Sequence, residues 1–428
     1  MLRITEVSAA ATIILLVSFH ALAASTTIYS FRGGALGIDP QSGLVSDANG
    51  VLYGTTSALD SNSNQNSGTI FSLTPPKAGA SKWTQTVLHV FTGQPSDGAN
   101  PIAGLVMDGD GNLYGSTQKG GPQNSGTAFE LSPPTGNSNA WTETLIYHFP
   151  INTNIGTSPN GTFIRSKKGV LYGEAAGGGN KGFGTVYQLS PPGKAGETWT
   201  ATLIYSFLGG TDGVAPGGGL YQDGTGAFYG TTVNGGDACV QAVGCGTVFM
   251  LTPPANGQTN WSETILHAFA NGTDGAIPAG NVVGDSAGNI YGTTPAGGND
   301  DAYGIVFELS PPGPGGTNWT ETLLHVFTGT PSDGAGPYAG LIRTADGTLY
   351  GTTEGGGTHG GGTAFRLTPP AGAEENWTAK VLFSFGGTPS SGSVPLSDLL
   401  LEANGDFFGT TSRGGGKKNA GTVFMLKR

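Results

Sequence analysis

β-Branched and aromatic residues alternate with Thr, Ser and Gly in short runs along nearly the whole chain, and the runs end at Gly, Pro, Asn or Asp. Alternation with a period of two, bounded by turn residues, predicts short strands with one face buried. Apolar positions at helical spacing are missing beyond the first two dozen residues. The expected class is all-β. The pattern also recurs: an aromatic-Gly pair stands at Tyr53-Gly54, Tyr114-Gly115, Tyr172-Gly173, Tyr229-Gly230, Tyr291-Gly292, Tyr350-Gly351 and Phe408-Gly409, each followed by a Gly-[Thr/Ile]-x-[Phe/Tyr] strand. These seven copies lie about 59 residues apart on average, the mark of one supersecondary unit duplicated along the chain.

The stretch from Gly280 to Phe327 shows the unit. Strand-like runs are expected at Asn281 to Gly284, Asn289 to Thr294, Ile305 to Leu309 and Trp319 to Phe327. Asp285 to Gly288 suits a tight hairpin between the first two, because Asp closes a turn through its own backbone and Gly accepts positive φ. Pro311-Pro312 ends the third run, since proline cannot continue a ladder. Four antiparallel strands repeated seven times predict a seven-bladed β-propeller. The fourth strand carries a Trp in six copies, at Trp83, Trp141, Trp199, Trp261, Trp319 and Trp377. A Trp-less copy, Thr26 to Phe31, lies near the N-terminus, and the chain stops at a third strand, Gly421 to Leu426. Pairing of these two runs is expected to close the ring, leaving no blade edge open at the seam.

Composition narrows the class. The 77 Gly fall in no Gly-X-Y register, and apolar residues still make up 36% of the chain, which fits many strands and turns rather than disorder. A net charge of −11 without a basic stripe excludes a nucleic-acid partner. At the N-terminus, Arg3, an apolar run from Ala9 to Val17 and Ala21-Leu22-Ala23 form the layout of a cleavable secretory signal over residues 1–23. Residues 24–428 are then expected as a single exported propeller domain, secreted or periplasmic, monomeric, with no membrane span. Cys239 and Cys245 share one loop, and in an exported protein they are expected to form a disulfide. Two thiols with no nearby His make a poor zinc site by comparison.

The blocks Gly-Asn-Leu-Tyr-Gly-Ser-Thr (111–117), Ser-Gly-Thr-Ala-Phe-Glu-Leu-Ser-Pro-Pro (125–134) and Trp-Thr-Glu-Thr-Leu-Ile-Tyr-His-Phe (141–149) resemble the Gloeo/Verruco, or GloVer, tandem repeat of exported bacterial proteins. The likeness covers essentially the whole chain after the signal. It implies an exported protein of many such repeats, often carrying a C-terminal sorting anchor, and no common activity or catalytic residues. This chain departs by ending inside a repeat.

Chemistry is expected on the face where loops between second and third strands meet the connections between blades. Asp97, Asp212, Asp274 and Asp333 lie in Asp-Gly-x-x-Pro connections, where the simplest role is to cap a turn. Pairing each connection with the loop of the blade it enters gives an acidic sector: Asp212 and Asp237, then Asp274, Asp300 and Asp301, then Asp333, Glu354 and His359. Lys119, Lys181, Arg413, Lys417 and Lys418 fall on the other loops. Such carboxylates could coordinate Ca²⁺ at Asp274, Asp300 and Asp301, or face sugar hydroxyls, although no cofactor is required. The turns at Asp47, Asp108 and Asp285 lack the downstream Glu of a calcium loop and read as turns.

His89, His267 and His325 share a fourth-strand position that holds Tyr29, Tyr147, Tyr205 or Phe383 elsewhere, a pattern of packing; His148 also lies on a fourth strand. The constant placement of the Trp residues favours packing over sugar stacking. His-Glu-x-x-His and P-loop motifs are absent, and catalytic residues stay unnamed. The expected function is non-enzymatic binding of a carbohydrate or cell-envelope ligand. The alternatives are a polysaccharide lyase or glycoside hydrolase with one acidic site, and a structural or protein-docking scaffold. A localised function is expected where the repeat breaks: Glu174-Ala175, the loop of Cys239 and Cys245, and the acidic loops of the fifth and sixth blades.

Overall fold

Each repeat folds as one antiparallel sheet. In the computed structural model, which describes residues 25–59, 67–136, 138–151, 153–194, 196–236, 244–255, 258–298, 303–372, 376–388 and 390–427, the strands Val283–Gly284, Ile290–Thr294, Ile305–Ser310 and Thr320–Val326 hydrogen-bond in that order. Seven sheets of this plan occur among the described residues, and they form the blades of a propeller. Blade one begins at Val45 and blade seven at Leu400. Beyond the first strand of each blade, the incoming connection pairs with the end of the second strand or the loop after it, as Gly334–Ala335 does with Gly355–Gly356. This short ladder fixes the loop face.

The ring closes as the sequence predicts. Ser25–Ser30 runs antiparallel to Thr422–Leu426, with Thr26 opposite Met425 and Ser30 opposite Thr422. Blade seven thus takes its fourth strand from the other end of the chain, and the third strand's backbone groups find partners on both sides.

Packing explains the aromatic-Gly pair. A Cβ at Gly292 would sit 2.5 Å from Phe307 Cζ, and Gly230, Gly409 and Gly115 lie equally close under Phe249, Phe424 and Phe129. The third-strand ring covers bare second-strand backbone, so only glycine fits. The preceding tyrosine works outward. Tyr291 donates to Asp285 at 3.0 Å, while Asp285 accepts from the backbone of Ala287 and Asn289 and so closes the hairpin. Asp47, Asp108 and Asp223 do the same with Tyr53, Tyr114 and Tyr229, so these acids serve as turn closures.

The buried apolar residues form seven clusters, each straddling two blades; one joins Val306, Leu324 and Phe327 to Leu341, Leu349 and Phe365. Trp residues seal these junctions. Trp141 packs edge-on to Tyr53 of the preceding blade at 5.9 Å, and Trp377 lies 6.3 Å from Tyr291. Near the axis the junctions are polar. The second-strand hydroxyl of one blade donates to a backbone carbonyl of the next: Thr55 to Pro101, Thr231 to Gly280, Thr293 to Ala339, Thr352 to Ser397 and Thr410 to Pro40, at 2.9 to 3.2 Å. Blades two and three break this ring, with Ser116, whose hydroxyl finds no partner, and Glu174.

Candidate functional site

The chain leaving a fourth strand must reverse onto the loop face, and in four blades an Asp side chain holds that turn. Asp97 accepts from the backbone N–H of Thr92 and Gly98 at 2.7 and 2.6 Å, and Asp333 from Thr328 and Gly334 at 2.9 and 2.8 Å. Asp212 accepts from Leu208 and Gly213, and Asp274 from Ala270. The same carboxylates reach back to the fourth strand. His89 Nε2 lies 3.3 Å from Asp97, His267 Nε2 3.0 Å from Asp274 and His325 Nε2 3.1 Å from Asp333; Tyr205 donates to Asp212 at 3.0 Å. An edge-on contact with Phe91, Phe269 or Phe327, at 4.7 to 4.8 Å, holds each imidazole in place.

A third member arrives from the next blade. Glu143, Glu263 and Glu321 occupy one fourth-strand position, opposite Leu131, Leu251 and Leu309 of their own sheets. Glu321 Oε2 approaches His267 Nε2 to 3.9 Å. In both His89–Asp97–Glu143 and His267–Asp274–Glu321, one donor atom from each residue lies within 4.8 Å of the others. The acids of a junction are not equivalent. Burial pushes Glu321 up, with a hydrogen bond to Asp274 and that group's charge adding to it, to about 9. Burial raises Glu143 to about 7 with help from Asp97 and against His89, and burial beside Asp212 likewise brings Glu263 to about 7. For Asp97, burial acts upward too, but hydrogen bonds from His89 and Thr92 outweigh it and hold the carboxyl below its ordinary value.

The junction of blades five and six keeps His325 and Asp333 but has Ala379, opposite Leu367, where blades two, four and five place Glu. A cavity of about 260 Å³ opens there, floored by Phe327 and Phe365 and edged by His325, Thr328, Ser332, Asp333 and Lys380. The next junction has Phe383 in place of the imidazole and Ser25 opposite Leu426, and holds about 490 Å³ between Phe383, His359, Thr388 and Ser391. Both open junctions thus carry a small residue at the fourth-strand position that holds Glu in blades two, four and five.

At the axis, a channel cavity of about 110 Å³ is lined from all seven blades by Gly and Ala interleaved with polar residues, Asn160, Thr162 and Asp398 among them. Thr162 accepts from Gly104 N–H at 3.0 Å and Asp398 from Gly340 N–H at 2.6 Å, again from blade to blade. Burial raises the Asp398 carboxyl. Glu174 is fully buried; Oε2 accepts from Gly219 N–H at 2.8 Å, while Oε1 has no partner. Burial pushes it up to about 8 against that one hydrogen bond. Tyr187, whose hydroxyl is also buried without a partner, stands in the same blade where the others have Phe.

The described aspartates of the expected acidic sector lie at separate junctions. Asp212, Asp274 and Asp333 cap three different turns; Glu354 lies against Gly336, and His359 is exposed beside Gly387 at the rim of the largest of these cavities. Asp237, Asp300, Asp301, Cys239 and residues 1–23 lie outside the described residues, so the Ca²⁺ and disulfide expectations rest on the sequence; Cys245 is buried. Sequence reasoning passed over the histidines as packing and missed Glu143, Glu263 and Glu321. The signal was present as co-occurrence. The fourth-strand position is His or a hydrogen-bonding Tyr wherever the Asp-Gly follows, and the next repeat then has Glu in three cases of four.

Residues 15–243 and 226–428 match the Gloeobacter/Verrucomicrobia repeat. No curated protein matches the chain. Among solved structures, PorZ, an essential surface component of the type-IX secretion system of Porphyromonas gingivalis, superposes with a TM-score of 0.50 at 14% identity over 89% of this chain and 46% of PorZ. The chain therefore spans about half the length of PorZ. The periplasmic gluconolactonase PpgL of Pseudomonas aeruginosa gives 0.49 at 13% identity over 79% of this chain and 85% of PpgL. A protein of unknown function from Dyadobacter fermentans gives 0.44 at 12%, over 94% and 99%. At such identities the PorZ likeness speaks to the fold alone. Among the described residues no helix is long and apolar enough to cross a membrane.

Proposed function

The chain belongs to the Gloeobacter/Verrucomicrobia repeat family, and we propose that it is an exported, non-enzymatic propeller that binds carbohydrate of the cell envelope or its surroundings at the open blade junctions. The observation that carries this reading is the cavity between blades five and six. Hydroxyls, a carboxylate, an imidazole and Lys380 stand around an apolar floor of Phe327 and Phe365, the mixture that a sugar ring with polar edges and apolar faces requires. Its 260 Å³ is small beside ordinary ligand pockets of roughly 300–1,000 Å³ and suits one ring of a longer chain. The neighbouring junction, open as well, offers the next contact, and weak contacts on one polymer add through effective concentration. The signal-like N-terminus supports an extracytoplasmic place for such a ligand.

A glycan array probed with the exported protein tests this. Ala379→Glu places in the cavity the side chain that blades two, four and five already carry there, so the fold should persist while binding falls at least tenfold. Glycan binding by wild type that A379E leaves intact, or no glycan binding at all, refutes the reading. Release of reducing ends from a bound polysaccharide would make the protein a hydrolase instead.

A further inference from the structure

Outside the open junctions, two filled ones bring together donors of a different chemistry. His267 Nε2 is 3.0 Å from Asp274 Oδ1 and 3.9 Å from Glu321 Oε2. Donors bound to zinc at about 2.1 Å in a tetrahedral arrangement stand roughly 3.4 Å from one another, so these separations bracket the required value. The His89–Asp97–Glu143 junction repeats the set, with Nε2 at 3.3 Å from Asp97.

We propose that the His89–Asp97–Glu143 and His267–Asp274–Glu321 junctions each bind a divalent transition cation, with Zn²⁺ as the natural probe, clamping blade one to blade two and blade four to blade five. The donor type selects the ion: an imidazole with two carboxylates suits zinc, whereas Ca²⁺ takes six to eight oxygens. Each element is prepared for the role. The imidazole is oriented by its phenylalanine, and the Asp is fixed by its turn while Asp274 Oδ1 meets no backbone N–H. Glu143 and Glu321 each have a carboxylate oxygen that is buried without a hydrogen-bond partner, as does Glu263 at the junction that lacks the imidazole. Each His is about 20% exposed at the blade rim, so an ion can enter and keep a water ligand.

The repeat supplies its own controls. At the blade three to four junction Tyr205 replaces the imidazole, keeps the hydrogen bond to Asp212 and has Glu263 beside it, which shows that tyrosine is tolerated there. Chelator-stripped, untagged protein is loaded with Zn²⁺, freed of excess by gel filtration and assayed for zinc by mass spectrometry. His89→Tyr and His267→Tyr are each expected to lower the content by one equivalent, and the double variant by two, with unchanged circular dichroism. Zinc should also raise the thermal midpoint of wild type and not that of the double variant. Wild type that retains no zinc, or tyrosine variants that retain as much as wild type, overturns the proposal. A379E supplies the missing carboxylate at the His325–Asp333 junction and is expected to add one equivalent. Glycan binding is read separately, since the cavity at Ala379 shares no residue with the two proposed sites.

Discussion

Replacing Glu174 by Gln should remove a steep loss of stability that accrues as the pH rises from about 4.5 to about 8. Glu174 is fully buried, accepts a single backbone hydrogen bond from Gly219, and has its carboxyl pushed from 4.5 to about 8, mainly by burial. In the unfolded chain the same group ionises near its ordinary value. Between these two values the folded protein holds a proton that the unfolded chain has released, so raising the pH favours unfolding. Below about 4.5 both states are protonated and the group contributes no pH dependence; above about 8 both are ionised and the full burial cost is present. At 1.36 kcal/mol per pH unit the loss across this window is roughly 5 kcal/mol. Gln keeps the volume and the acceptor for Gly219 but cannot ionise. Urea denaturation of wild type and E174Q across the window isolates the effect, because the raised acids at the blade junctions titrate alike in both proteins and cancel in the difference. Any fixed cost of the amide appears as a constant offset. The stability of E174Q relative to wild type should therefore climb by several kcal/mol from acid to alkaline pH. A difference that stays flat, or that falls, refutes the assignment of a neutral buried carboxyl.

Three further outcomes follow from the packing. Thr293→Val removes a buried hydroxyl that donates to Ala339 O at 2.9 Å across a junction, and should cost about 1–3 kcal/mol by denaturant titration, while Ser116→Ala, whose hydroxyl has no partner to lose, should cost less. Gly292→Ala forces a methyl to within 2.5 Å of Phe307 Cζ and should destabilise by about 1–3 kcal/mol or more, measured the same way. Deletion of Ser25–Ser30 leaves Thr422–Leu426 as an open edge, and the truncated chain should lose its single cooperative unfolding transition or aggregate in light scattering; unaltered melting would refute the closure of the ring through this strand.

The fold was legible because repetition multiplies a weak signal. One copy of Asn289 to Thr294 is an ambiguous short strand, but seven copies with a constant glycine under a constant aromatic ring leave little freedom. The seam was legible from counting, since six Trp-bearing fourth strands and one displaced copy admit one closure. The candidate sites were less legible. Asp97, Asp274 and Asp333 were recognised as turn residues, and they are; that His89, His267 and His325 bond to them required the strand and the returning turn to be placed together. Glu143 and Glu321 belong to the following repeat, so nothing local in sequence points at their imidazoles.

The sequence alone determined the all-β class, the number of blades and the way the ends join, because these depend on periodicity and turn chemistry that each repeat states for itself. The tertiary structure decided what happens between repeats. Whether a junction is filled by Glu321 or left open beside Ala379, and whether Glu174 is solvated or buried with one hydrogen bond, depends on the approach of one twisted sheet to the next. Blade-to-blade distances are set by closure of the whole ring, and no single repeat encodes them.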